Sequence, residues 1–239
     1  MKRDAILVTG AAQRLGLHLA ETFHARGHAV IGTYRTEHPA VERLRAAGLD
    51  MIACDFDQPS QVDRLMADVR SRCASLRAVI HNASAWLPDD AGLPHGDVLE
   101  RMMRVHVTAP YRLNFALAPL LEAGSAPHAD IIHVGDYVSG RGSRKHVAYA
   151  ASKAAQDNLT LSFAAKWAPR IKVNSIAPAL ILFNEDDDEA YRAKAVKKNL
   201  MGRAGGAAEF LRAVDYLLES RFVTGRVLPV DGGRHLQAN

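Results

Sequence analysis

The sequence predicts an α/β fold: a doubly wound, parallel seven-stranded sheet with helices on both faces. Three observations carry that prediction. Seven short apolar, β-rich runs alternate with longer segments of helical period. The runs are mostly near-continuous in apolar residues instead of strictly alternating, as strands covered on both faces tend to be. The first run leads directly into a glycine-bearing turn and a helix, GAAQRLG.

In chain order the predicted strands are AILVT (5–9), AVIGTY (29–34), MIAC (51–54), AVIH (78–81), DIIHV (130–134), KVNSIA (172–177) and RVLPV (226–230). The helix beginning near Leu15 ends at Gly27, and the one after Pro39 ends at Gly48. Pro59 suits the first turn of the next helix. VAYAASKAAQDNLTLSFAAKWA forms one long helix, small-residue-rich on one side, which suits either a subunit interface or a buried intramolecular face. The charged stretch 182–200 lacks an apolar face in its first half, and we expect a mobile lid over a site.

With 239 residues, 48% of them hydrophobic and 23% charged, the chain is expected to form one domain spanning 1–239. The net charge of +4 and pI near 9.2 are spread among interleaved acids and bases, so we expect steering of an anionic small molecule and no nucleic-acid partner. The N-terminal apolar run is too short for a signal peptide or membrane span, and Cys54 and Cys73 read as reduced thiols. A cytoplasmic location follows, with no membrane partner and no metal site.

A first strand followed by Gly10-x3-Arg14-x-Gly16 and a helix is a Rossmann-type dinucleotide start. Gly10 makes the tight turn, Gly16 lets helix and strand approach, and phosphates sit at the helix N-terminus. Arg14 replaces the usual middle glycine, so its side chain is expected to project toward phosphates and substrate. Tyr34, Arg35 and Thr36 end the second strand, where an acidic residue would hold a ribose 2′-hydroxyl. Arg35 and Thr36 suit a 2′-phosphate instead, which predicts NADPH, with Glu37 close by as the contrary sign. Asp55 and Phe56 after the third strand, and Asn82, Ala83 and Ser84 after the fourth, lie on the same carboxyl edge. Asp55 either caps the next helix or meets the adenine, and the second reading is preferred.

Tyr149 and Lys153 stand one helical turn apart in YAASK after the fifth strand, with Asp136 upstream. A cation near the phenol favours its ionised form. A carboxylate at 136 repels a carbonyl oxygen and favours a group that carries or receives a proton, so the expected electrophile is a protonatable C=N bond. The competing reading of Asp136 is a cap or an ion pair to Arg141, Arg144 or Lys145.

From VTGAAQRLG to FVTGRVLPVDGG the chain resembles the short-chain dehydrogenase/reductase family, and TGAAQRLG, NAS followed by Trp86, and Asp136 with YAASK resemble its pteridine reductases. The resemblance implies a homotetramer, NADPH along the sheet edge with Leu15 and Pro178 among its contacts, and a pterin stacked on the nicotinamide. Trp86 would cover the other pterin face, and Ser84 and Arg14 would contact pterin or cofactor. Tyr149, Lys153 and Asp136 would be catalytic, with Asp136 keeping Tyr149 protonated and orienting a proton for the ring nitrogen. The implied reaction is reduction of a 7,8-dihydropterin, dihydrofolate and dihydrobiopterin included, by hydride transfer to C6 and protonation of N5. His106 departs from the family, many members of which carry an asparagine that holds a relay water there. An imidazole nitrogen is expected to hold that water with a pH-dependent charge. The rival readings are a carbonyl or alcohol oxidoreductase of the same family, and a non-enzymatic NADPH-binding protein.

Overall fold

The computed structural model describes residues 1–237, so the last two residues of the predicted 1–239 unit lie outside it. Its strands are β1 (Ala5–Val8), β2 (Val30–Tyr34), β3 (Asp50–Ala53), β4 (Leu76–His81), β5 (Ala129–Val134), β6 (Ile171–Pro178) and β7 (Val227–Val230). All seven join one sheet in the order β3-β2-β1-β4-β5-β6-β7, and every pairing is parallel. Each predicted strand is present within two residues at either end.

Helices α1 (Arg14–Ala25), α2 (Pro39–Ala46), α3 (Pro59–Arg72), α4 (His95–Met103), α5 (Ala109–Glu122), α6 (Val147–Trp167), α7 (Glu189–Val196) and α8 (Ala207–Glu219) complete the fold. A five-residue π turn, Arg104–Thr108, joins α4 to α5. Gly27 and Gly48 take positive φ just beyond α1 and α2, as helix-ending glycines do.

Strand pleating divides the core in two. Ala5 and Leu7 of β1 face α3, α5 and α6, packing with Leu65, Leu113 and Phe163. Ile6 and Val8 face α1, α2 and α8, packing with Phe23, Leu44 and Phe210. This two-sided burial makes the strand sequences continuously apolar. Phe210 is fully buried, and truncating such a side chain to alanine costs about 3–5 kcal/mol.

The strand order reverses between β1 and β4. Ligands of open parallel sheets bind outside the carboxyl ends of the strands at such a switch point.

Candidate active site

A cavity of about 810 Å³ opens along that edge. Its wall includes Gly10, Arg14, Leu15, Tyr34, Arg35, Thr36, Asp55, Phe56, Asn82, Ala83, Ser84, Trp86, Asp136, Tyr149, Lys153 and Pro178. Of the residues expected to hold cofactor or substrate or to be catalytic, Gly16 alone is not part of the wall; His106 and Glu37, also singled out from sequence, are not part of it either. His38 also lines the cavity and was missed, since no local motif marks it, while Asn184 and Tyr191 reach the cavity from the 182–200 segment expected to cover the site.

The glycine turn has the cramped geometry that a phosphate cradle requires. A Cβ on Gly16 would stand 2.0 Å from the Gly10 carbonyl oxygen, and one on Gly10, at φ 66°, would touch Ala83 at 3.0 Å. Asn82 ties this turn to β4 by donating from Nδ2 to the carbonyls of Thr9 and Gly10, both at 3.0 Å. The close approach leaves backbone N–H groups at the start of α1 open to an anion, so the residues present fit a dinucleotide.

Arg14 has φ 53°, the left-handed conformation of the glycine it replaces. Its guanidinium donates to Asn184 Oδ1 at 2.5 Å and to the Leu182 carbonyl at 3.3 Å. It therefore bridges the cavity to the 182–184 segment, where the sequence suggested only phosphates and substrate. That segment is not irregular throughout: Asp188 caps α7 by accepting from Tyr191 N–H at 2.6 Å, and Arg192 donates to the Asp187 and Asn184 carbonyls.

Asp55 does not cap α3, whose N-cap is Gln58. Its carboxylate accepts from the Asp57 N–H at 3.0 Å and so holds a local turn at the cavity wall.

Asp136 divides its two oxygens. Oδ1 accepts from Val138 N–H at 2.9 Å, capping the short turn Tyr137–Gly140, and Oδ2 accepts from the Tyr149 hydroxyl at 2.9 Å. Both readings of this residue, cap and phenol partner, therefore describe one oxygen each. Burial, then the Asp136 charge and its hydrogen bond, push the Tyr149 phenol well above the ordinary range. The predicted lowering by Lys153 is overridden here, because the carboxylate is the nearer charge and the phenol is desolvated.

Lys153 is fully buried, and burial brings its ammonium down to about 8. It donates to the Val134 carbonyl at 2.7 Å and to Gln156 Oε1 at 3.3 Å. One of its three protons is left for a hydroxyl in the cavity.

His106 behaves differently from the expected water holder. Its Nε2 accepts from Ala85 N–H at 3.2 Å and lies 2.9 Å from Ser84 Oγ. A backbone N–H can only donate, so the proton resides on Nδ1, which donates to Ser152 Oγ at 2.8 Å, and Ser152 donates onward to the Tyr149 carbonyl at 2.7 Å. Burial, then the Lys153 charge, hold His106 well below the usual imidazole range, so it stays neutral. It is a tie between the 84–85 loop and α6, with neither nitrogen free for a relay water.

A second tie secures the same loop. The Asp89 carboxylate caps α6 by accepting from Val147 N–H at 2.9 and 3.0 Å, and Asp89 N–H donates to the Lys145 carbonyl at 2.9 Å. Between the ties Trp86 stands 64% exposed beside the cavity, edge-on to His146 with ring centroids 4.1 Å apart.

Known proteins resemble this chain over nearly its whole length. A family model described as enoyl-(acyl carrier protein) reductase matches residues 10–235. The chain is 52% identical over 232 residues to a dihydromonapterin reductase of Klebsiella pneumoniae and 53% identical to one of Escherichia coli, each match covering 97% of both chains. The solved structure of FolM alternative dihydrofolate reductase 1 from Brucella suis in complex with NADP superposes with a TM-score of 0.85 at 27% identity, covering 98% of this chain and 96% of that one. Likeness of that depth along nearly every residue leaves one assignment: the chain belongs to the short-chain dehydrogenase/reductase family.

Proposed function

We propose that the protein is an NADPH-dependent reductase of 7,8-dihydropterins, with 7,8-dihydromonapterin as its substrate and dihydrofolate and dihydrobiopterin as ring-matched alternatives. The observation that carries this reading is the 2.9 Å contact from the Tyr149 hydroxyl to Asp136. A phenol that spends its proton on a carboxylate is not directed at a carbonyl oxygen, which weighs against the carbonyl and alcohol reading. The identity to dihydromonapterin reductases supports the ring, and the Brucella complex supports the cofactor.

When bound, NADPH supplies a hydride for C6 of the dihydropterin, N5 takes a proton, and tetrahydropterin and NADP⁺ result. The chain's own residues align and protonate. Gly10, Leu15, Asn82, Ala83 and Pro178 form the cofactor wall with Gly16 letting α1 pack close behind it, Phe56 and Asp55 form the adenine end, and Arg35 and Thr36 the 2′-phosphate end beside Tyr34. Lys153 offers its remaining N–H to the nicotinamide ribose. Asp136 keeps Tyr149 protonated, and the pair, directly or through a water they hold, delivers the proton to N5. Trp86 stacks on the exposed pterin face, with Ser84 and Arg14 at the ring edge.

Residues 182–200 act as the lid, held by Arg14 through Asn184 and Leu182. A homotetramer is what the resemblance implies, and Tyr111 and Phe115 of α5 and Leu161 of α6, each 42–50% exposed, are apolar surface that an assembly would cover. Among the described residues no helix is long and apolar enough to cross a membrane, and both cysteines are buried free thiols, which fits a reducing cytoplasm.

The test is NADPH oxidation by the purified protein with 7,8-dihydromonapterin, beside dihydrofolate, dihydrobiopterin, a panel of simple ketones, and NADH. Turnover of the pterins with NADPH and none of the ketones is expected. Turnover of ketones alone would replace this reading with the carbonyl one, and tight NADPH binding without any turnover would replace it with a binding protein.

A further inference from the structure

Glu37 is the one residue near the end of β2 that speaks against a 2′-phosphate, and its surroundings disarm it. Arg35, Thr36 and His38 line the cavity, whereas Glu37 is not among its lining residues. Its Oε1 instead accepts from Arg45 Nη1 at 2.7 Å. The other arm of that guanidinium, Nη2, donates to the Tyr34 hydroxyl at 2.5 Å, and Cζ lies 5.2 Å from the Tyr34 ring centroid.

Tyr34 is a fixed post, only 8% exposed at the end of β2. Arg45 rises from α2, which is seated by Ala40, Val41 and Leu44. One planar fork thus joins a buried phenol to an acidic side chain from the adjoining loop, a two-armed geometry that the point charge of lysine cannot reproduce.

We propose that Arg45 is a positioning residue for cofactor choice: by holding Glu37 off the cavity wall, it leaves Arg35, Thr36 and His38 free to receive a 2′-phosphate. The proposal rests on the reading that the cavity takes NADPH. An isolated ion pair at 44% and 51% side-chain exposure adds little stability, so the contribution of Arg45 lies in where it keeps the carboxylate. Without Arg45, Glu37 keeps only its weaker tie to the Tyr34 hydroxyl and can swing toward the dianionic phosphate and repel it, while the uncharged 2′-hydroxyl of NADH is indifferent or gains an acceptor.

The experiment is calorimetric titration of NADPH and of NADH into the wild-type protein, Arg45→Ala, Glu37→Gln and the double variant, with thermal melts to show that each is folded. In Arg45→Ala the NADPH Kd is expected to rise about tenfold, an effect of ~1.4 kcal/mol, with the NADH Kd held within about twofold. Adding Glu37→Gln should bring the NADPH Kd back to within about threefold of wild type, a rescue that loss of a direct Arg45-to-phosphate contact would not permit. Equal weakening of both cofactors, an unmoved ratio, or failure of the double variant to recover would overturn the proposal alone. A wild-type protein that binds NADH as tightly as NADPH would overturn the cofactor reading, and this proposal with it.

Discussion

Tyr149 donates its hydroxyl to Asp136 Oδ2 across 2.9 Å, and on the proposed reading that contact governs what the site can reduce. Replacing Asp136 with alanine is expected to lower dihydropterin turnover at least about 100-fold, the usual contribution of a positioned proton-transfer group, while NADPH affinity changes little. Steady-state kinetics beside NADPH titration checks this. Replacing Asp136 with serine frees the phenol and should let a simple ketone be reduced where the wild-type protein is inert.

Lys153 sets the alkaline limit. Its ammonium is brought down from 10.5 to about 8, so between those values the folded state binds fewer protons than the unfolded chain, and this group makes stability rise with pH there. Below about 8 the full cost of the buried cation is present. Activity is expected to run the other way, because on the proposed reading the cation is the form that holds the ribose and counters Asp136. The profile of kcat/KM for the dihydropterin should therefore fall above about pH 8, and a flat profile to pH 10 would remove Lys153 from that role.

Arg14 keeps a glycine's backbone angle at φ 53°, a conformation that costs a side-chain-bearing residue roughly 1–2 kcal/mol. Glycine relieves that strain but loses about 0.5–1 kcal/mol through its freer unfolded chain. Arg14→Gly is thus expected to leave the melting temperature within about 4 °C of wild type, since ~1 kcal/mol shifts a chain of this size by only a few degrees. The Asn184 bond is lost, so the KM for the dihydropterin should rise. A large drop in melting temperature with unchanged KM would make Arg14 a structural residue.

Asp89 caps the helix that carries Tyr149 while belonging to the loop that carries Trp86. Loss of such a cap costs about 1 kcal/mol. In Asp89→Ala we expect a rise in the KM for the dihydropterin with the KM for NADPH unchanged, and a smaller effect in Asp89→Asn, which keeps an acceptor oxygen. Equal rises in both constants would mean that the cap serves only the helix.

Much of this was legible in the residues because it is written locally. Short apolar runs such as AVIH, alternating with longer helical segments, read as strands covered on both faces, and the glycines of the first turn stand where a Cβ would collide with backbone at Gly16 and where φ is positive at Gly10. Tyr149 and Lys153 lie one helical turn apart, so their shared face follows from period alone. What was not legible depends on pairs far apart in the chain. The ties from His106 to Ala85 and Ser152 span 21 and 46 residues, and Asp89 reaches 58 residues to Val147. Sequence spacing carries no trace of such contacts. For the Tyr149 phenol, helix spacing to Lys153 suggested a lowered value while the resemblance implied that Asp136 keeps it protonated; burial and Asp136 together decide for the second.

On the proposed reading hydride reaches C6 of the pterin ring while N5 takes the proton. The most direct measurement is a single turnover with NADPH deuterated at the transferring position and 7,8-dihydromonapterin, followed by NMR of the product. Deuterium at C6 of the tetrahydropterin, as a single stereoisomer, is the predicted result. Deuterium at another carbon, or an unlabelled ring beside a consumed cofactor, would contradict it.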